Sequence, residues 1–502
     1  MSLSVPNEIL DKITFEADNV TRQQLRRTCR LFNDIATPLV FQSICIDLSW
    51  ARRSSSAPLF LKSLGSGPKL AQYVTRLSLF LHLSESLQSN ASRSVNEAII
   101  KKREDRSGSL HTLFLEAIPL MGSLRELLWS SSGDSGPSYA KLMFERFGGL
   151  PLLSDVRIYV LGAWDIPCSP FRHIQNLKYE GPGSADLTTL LVNNPDMAGL
   201  YVSVRFSRLE EGESILFLFS SLPRGTYSAV EKLKIDRTYH RLYADEIPSL
   251  IPHLRHLKNL ETWVSMPDEF WDRLREDGIH LAYLSYYGTR IGSALLSYLT
   301  SYTGLRELSL RIWSRADPIP DDPHIKDLLL NVITSHSWSL TTVHIEPDYS
   351  RAWCLDHPML DALALCHSLQ SLHVRANEAT TEVEENNVID RTLESFVTLW
   401  PNLWSLQIHA VSQSFGFDAL RRTASQIHKH ILAFRFAPPL RKRSILLFSS
   451  DFANYSIKIH DEKNSIHAFK VEHLKDWGKK DLQRRSRRKY MFWKRSNDSN
   501  DD

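Results

Sequence analysis

The sequence predicts an α/β chain, with a small all-α hairpin at the N-terminus followed by a long solenoid of strand-helix units. Three observations carry this expectation. Up to Phe41 the chain holds helical patterns with more apolar surface than a hairpin can cover. Beyond residue 70 one short apolar phrase keeps returning, and helix-like stretches separate its copies. A chain of 502 residues also exceeds the size at which one hydrophobic core stops growing, which favours several domains or a repeat array.

The first element is V-P-N-E-I-L-D-K-I from Val5, where Ile9, Leu10 and Ile13 place an apolar stripe on one side of a helix. Pro6 suits the first turn, where a missing N–H costs nothing. The second starts at Thr21, whose pairing with Gln24 matches a capping box. It carries Leu25, Cys29 and Phe32 on its apolar side, the stripe resumes at Ile35, and Pro38 should stop or bend it. Such a hairpin either seeks a partner or caps the array that follows, and the two uses are compatible.

These residues carry a resemblance. V-P-N-E-I-L-D-K-I followed by L-R-R-T-C-R-L-F-N-D-I-A-T-P-L-V-F resembles the F-box, most closely that of fungal proteins, over the first tenth of the chain. Val5 stands where Leu is usual and Thr28 where an aliphatic residue is common. The resemblance implies docking onto a Skp1-type subunit, and through it onto a cullin and RING subunit, with contacts from Val5, Pro6, Ile9, Leu10, Ile13, Leu25, Cys29, Phe32, Ile35, Pro38, Leu39 and Phe41.

The phrase itself is an apolar residue, two variable residues, an apolar residue, one variable residue and a third apolar one. It reads VTRLSL at Val74, LRELLW at Leu124, LSDVRI at Leu153, IQNLKY at Ile174, MAGLYV at Met197 and VEKLKI at Val230. It continues as LKNLET at Leu257, LAYLSY at Leu281, LRELSL at Leu305, LTTVHI at Leu340, LQSLHV at Leu369 and LWSLQI at Leu403. From Leu153 the steps run from 21 to 35 residues, which resembles degenerate leucine-rich repeats of roughly 20–29 residues. The expected helices include residues 185–194, 214–222 and 324–336. The Asn typical of leucine-rich turns is mostly absent, so regular geometry is not assured by sequence.

Alternation turns one set of each phrase inward and the other onto an open face. That face should display Arg157, Lys178, Tyr201, Lys232, Lys234, Glu261, Tyr283, Glu307, His344, His373 and Gln407. Singly each reads as a solvated polar residue. Together they form the natural surface for a protein substrate, of which Lys178, Tyr201, Lys232, Lys234, Tyr283, Glu307, His344 and His373 are the candidate contacts. Residues 84–109, 130–138 and 377–387 read as loops, and RSILLF, YSIKIH and IHAFKV as a terminal sheet. The expected layout is docking helices over 1–48, repeats over 49–436, a strand cap over 437–477 and a basic, then acidic, tail over 478–502.

Other chemistry finds little footing. Ser135 in G-D-S-G-P resembles a serine-protease nucleophile segment, but no matching histidine segment precedes it. Cys354, His357, Cys366 and His367 have the residue types of a zinc set, yet adjacent Cys366 and His367 cannot both face one ion from a helix. No catalytic residues, metal or cofactor are expected. Five scattered cysteines fit a reducing compartment, cytoplasmic or nuclear. No apolar run reaches the roughly 20 residues of a membrane span, and no secretory leader is read.

Net charge is +3, but Lys479, Lys480, Arg484, Arg485, Arg487, Arg488 and Lys489 cluster near the end. The run fits nuclear import, an anionic partner or a solvated terminus. The expected function is a substrate-recognition adaptor of a Skp1-cullin-F-box ubiquitin ligase. The alternative is a non-ligase scaffold, or a nucleic-acid-associated repeat protein that binds through the tail; nucleic acid is the less expected partner.

Overall fold

The computed structural model describes residues 6–48, 57–65, 68–82, 110–132, 140–161, 167–181, 185–204, 214–223, 225–236, 242–312, 323–347, 353–381, 387–411, 417–434, 446–450, 453–462 and 465–473. The chain forms two units, Met1–Leu257 and Lys258–Asp502.

The first unit opens with three helices, α1 (Asn7–Glu16), α2 (Asn19–Leu25) and α3 (Arg30–Phe41). The expected second helix is thus two. Thr28 donates its hydroxyl to the Leu25 carbonyl at 2.7 Å, a side-chain bond that competes with helix continuation, and Cys29 is extended. The cap of α2 is Asp18, whose carboxylate accepts from the Thr21 N–H at 2.7 Å, so Thr21 is capped and does not act as the cap. Pro6 precedes α1 as its cap residue. Pro38 lies inside α3 and does not end it: the helix runs on to Phe41, whose ring stacks on Phe60 of α4 (Ala57–Gly65) at 6.2 Å.

Seven parallel strands follow in sequence order: β1 (Ser43–Asp47), β2 (Arg76–His82), β3 (Glu126–Ser132), β4 (Asp155–Leu161), β5 (Asn176–Gly181), β6 (Gly199–Val204) and β7 (Lys232–Asp236). The second unit repeats the plan with β8 (Asn259–Thr262), β9 (Tyr283–Gly288), β10 (Glu307–Ile312), β11 (Thr342–Glu346), β12 (Ser371–Ala376) and β13 (Ser405–Ala410). β14 (Leu446–Ser450) joins β13 in parallel, and β15 (Ala453–Glu462) and β16 (Ser465–His473) close the edge antiparallel, as the terminal pattern suggested.

All twelve phrases enter a strand two residues after their first apolar position. That first position is buried throughout, from Val74 to Leu403, and the second aligns into ladders: Leu77, Leu127, Val156, Leu177, Leu200 and Leu233 in one unit, Leu260, Leu284, Leu308, Val343, Leu372 and Leu406 in the other. The polar exception, Thr262, is buried with its hydroxyl exchanging bonds with the Val264 backbone at 3.0 and 3.1 Å. Just before most strands one carbonyl accepts two N–H groups of the next repeat. Gln42, Thr75, Arg125, Ser154, Gln175 and Ala198 do so in the first unit, and Lys258, Ala282, Arg306, Thr341 and Gln370 in the second.

Helices at Ala185–Asn193 and Pro323–Ser335 form where the sequence placed them, whereas Ile215–Phe219 is a 3₁₀ turn. Side chains of several types tie the repeats' backbone together. At the end of a repeat's helix, a buried polar atom reaches back to the backbone ahead of that repeat's own strand. Asn194 accepts from the Ile174 N–H (2.8 Å) and donates to the Phe171 carbonyl (3.1 Å). Tyr298 donates to the Ile279 carbonyl (2.8 Å), and Trp400 to that of Leu363 (3.1 Å). His336 takes the N–H of Leu305 on Nδ1 (3.2 Å) and faces the Leu299 carbonyl with Nε2 (2.8 Å). Asn194, Tyr298 and His336 thereby satisfy backbone groups that burial would otherwise leave unpaired, whereas the Leu363 carbonyl also accepts from the Cys366 N–H at 2.9 Å.

Candidate functional site

In α1 the stripe read from sequence splits. Thr14 is buried, its hydroxyl donating to the Leu10 carbonyl at 2.7 Å, and Leu10 is half-buried beside it. Ile9 and Ile13, one helical turn apart, point out and are 48% and 50% exposed. Arg22 of α2 fastens the end of α1, its Nε donating to the Thr14 carbonyl at 3.0 Å and its Nη2 to that of Phe15 at 2.5 Å. Arg26 bonds Thr37 of α3 at 3.0 Å and lays its guanidinium 4.8 Å from the centre of the Phe41 ring. Both α1 and α2 pack on α3.

Of the docking residues read from sequence, Pro6, Ile9, Ile13 and Cys29 are exposed. Leu10, Leu25, Phe32, Ile35, Pro38, Leu39 and Phe41 are half-buried, and Val5 lies outside the described residues. Phe41 turns inward, toward Phe60 and Arg26, and serves the helices' own packing. The sequence reading passed over Phe15 and Val20, each 65% exposed, and Leu31 at 41%. Their signal was present: Phe15 and Val20 are large apolar residues on either side of Glu-Ala-Asp-Asn, and Leu31 adjoins Phe32. The result is a small helical layer with five large apolar side chains facing solvent.

On the open face of the first unit, register aligns Arg157, Lys178, Tyr201 and Lys234 across β4–β7, with Lys232 in the row ahead of them. The Lys178 ammonium lies 5.0 Å from the Tyr159 ring and 4.5 Å from that of Tyr201, and pairs with Glu180 at 3.0 Å. Burial opposes its charge, but bonds to Tyr159 and Glu180 prevail and raise its pKa. Lys234 covers the same Tyr201 ring at 4.8 Å.

In the second unit Tyr283 and Glu307 align with Thr342, and Glu261, Ser285, Ser309, His344, His373 and Gln407 form the next row. The His344 and His373 rings stack at 3.8 Å and 11°. Burial, the neighbouring His373 and Arg311 press His344 down to about 3. His373 falls to about 4 through burial, against the pull of Glu346. Both are neutral at pH 7. Burial raises the Glu307 carboxyl. The eight candidate contacts therefore fall into two clusters, one in each unit.

The rejected motifs resolve differently. Cys366 is buried, with its sulfur 3.9 Å from the Ala362 carbonyl; His367 is exposed, and His357 meets Arg391 at 2.9 Å. Among the described residues no group of three or more His, Cys, Asp or Glu side chains is arranged to hold a metal ion, and no helix is long and apolar enough to cross a membrane. Ser135 and the basic run 479–489 lie outside the described residues.

No protein-family model and no curated protein matches the sequence. Solved structures give faint likenesses. An LRR protein of Leptospira interrogans aligns at 13% identity and TM-score 0.33, over 83% of this chain and 94% of its own. The Rad7 and Elc1 complex of yeast aligns at 14% and 0.37, over 84% and 98%. The plant peptide hormone receptor RGFR1 in complex with RGF2 aligns at 12% and 0.27, over 69% and 53%. Likeness of this degree bears no argument about function.

Proposed function

We propose that this chain is the substrate-recognition adaptor of a Skp1-cullin-F-box ubiquitin ligase, docking through α1–α3 and holding a client polypeptide on the open faces of its strand-helix repeats. The observation that carries the reading is the set Ile9, Ile13, Phe15, Val20 and Leu31, large apolar side chains left 41–65% exposed on a layer of three short helices. Full burial of such a side chain is worth about 1.5–3 kcal/mol, so covering the remaining half of each contributes about 1 kcal/mol, or about 5 kcal/mol for the set. Scattered exposed apolar residues are ordinary on a soluble surface; five within twenty-five residues on adjoining helices favour a partner. The F-box-like order of V-P-N-E-I-L and C-R-L-F supplies the partner's class. On this reading the ubiquitin transfer belongs to other subunits.

The test is co-purification of a Skp1-type subunit with the full chain and with an Ile9→Asp, Ile13→Asp double variant. Both positions face solvent, so folding should persist while two carboxylates spoil the apolar contact. Capture by the parent and loss by the variant, with unchanged circular dichroism, is the expected result. Equal capture by both, or none by the parent, overturns the docking reading.

A further inference from the structure

The open face of the second unit carries a row assembled by register from five strands: Tyr287, Arg311, Glu346, Arg375 and His409. Trp263 stacks on Tyr287 at 3.8 Å and 4°, and the Arg311 guanidinium sits 5.2 Å from the centre of the Tyr287 ring. The His344–His373 stack flanks the row one position away.

The row has too many donors for its acceptors. Glu346 is the one carboxylate between two guanidiniums, each with five N–H groups. Its oxygens stand 3.3 Å from Arg311 and 3.7 Å from Arg375, ion-pair distances longer than a firm charge-assisted hydrogen bond. Arg375 Nε and Ser309 Oγ are buried without a hydrogen-bond partner, Arg311 Nε is buried facing a Glu346 oxygen at 3.3 Å without hydrogen-bond geometry, and all three lie on this face within β10–β12. Unfilled buried donors clustered on one face indicate a missing acceptor. Among the described residues of the row two guanidiniums stand against one carboxylate, and the other described carboxylates read on this face, Glu261 and Glu307, lie toward the start of the strands.

We propose that this row seats an acidic segment of a bound polypeptide, a side-chain carboxylate entering between Arg311 and Arg375 while the segment crosses the flat ring faces of Trp263–Tyr287 and His344–His373. Two guanidiniums flanking a single carboxylate match an added carboxylate more closely than a neutral amide, since the added anion fills donors that Glu346 leaves unmet. The ring pairs offer apolar surface for an extended chain without demanding a particular side chain. The inference rests on the repeat face being the client-holding surface, and is independent of what α1–α3 bind.

The probe is a short peptide of alternating glutamate and glycine with a central benzoylphenylalanine, set against its glutamine counterpart and titrated by fluorescence anisotropy into the full chain. The glutamate peptide should bind and, on irradiation, crosslink to segments between Trp263 and His409. An Arg311→Gln, Arg375→Gln variant should bind at least about tenfold more weakly. Glu346→Gln, which removes the competing carboxylate, should bind about threefold or more tightly, a gain that misfolding cannot imitate. Equal binding of the glutamine peptide, crosslinks confined to the basic run 479–489, or a Glu346→Gln variant no tighter than the parent overturns the proposal. Failure of Skp1-type capture alongside these expected outcomes removes the adaptor reading alone.

Discussion

Replacing His336 with leucine tests how the repeats hold together without the usual asparagines. The imidazole is fully buried, accepting from Leu305 N–H at 3.2 Å and facing the Leu299 carbonyl at 2.8 Å. His336→Leu keeps an apolar side chain of similar bulk but orphans both backbone groups. A buried group left unpaired costs about 1–3 kcal/mol, so the variant should lose about 2–6 kcal/mol at pH 7. Acid should close that gap. Burial lowers the His336 pKa below the ordinary 6.5, with the bond to Leu299 opposing, and a protonated ring would turn an N–H toward the Leu305 N–H. The folded state therefore binds fewer protons than the unfolded one, and the stability from this ring is complete above pH 6.5 and declines as pH falls below it. The decline is at most about 1.4 kcal/mol per pH unit. Hydrogen exchange of the Leu305 amide, with urea unfolding of parent and variant between pH 7.5 and 5, reads both effects. Protection of Leu305 that survives the substitution at pH 7, or a gap that widens in acid, would refute the role given to His336.

Two further outcomes follow from burial and charge. Leu308→Ala, at a fully buried rung of the ladder, should cost about 2–5 kcal/mol in urea unfolding, whereas Trp338→Ala, 68% exposed, should cost under about 0.5 kcal/mol; equal costs would contradict the assignment of inward and outward positions. For the basic run we propose nuclear import: neutralising Lys479, Lys480, Arg484, Arg485, Arg487, Arg488 and Lys489 together should shift a fluorescent fusion out of the nucleus, and an unchanged distribution discards the proposal.

The strands were far more legible than the helices. All twelve phrases became strands because their signal is local: alternate apolar residues meet one face wherever the chain is extended. β1 is not separable by pattern although Phe41-Gln-Ser-Ile44-Cys-Ile46 fits the same phrase, because Phe41 also completes the helical motif. Around Thr28 the pattern could not distinguish one helix from two, because the deciding bond, Thr28 to Leu25, leaves the apolar spacing unchanged.

Sequence by itself determined the α/β repeat plan, the buried rungs and the apolar excess of the N-terminal helices, all of which follow from periods of two and 3.6 residues. Tertiary structure alone decided which buried side chains tie the repeats' backbone together. Asn194, Tyr298, His336 and Trp400 share a task but no chemical type, so no motif announces them. It also decided that Tyr287, Arg311, Glu346, Arg375 and His409 stand side by side. Parallel pairing brings residues 24–35 positions apart to neighbouring rungs, and each spacing depends on the helix and loop between them. A pattern read within one strand carries no record of that distance. For the same reason the outward direction of Ile9 and Ile13 awaited the packing of α1 against α3.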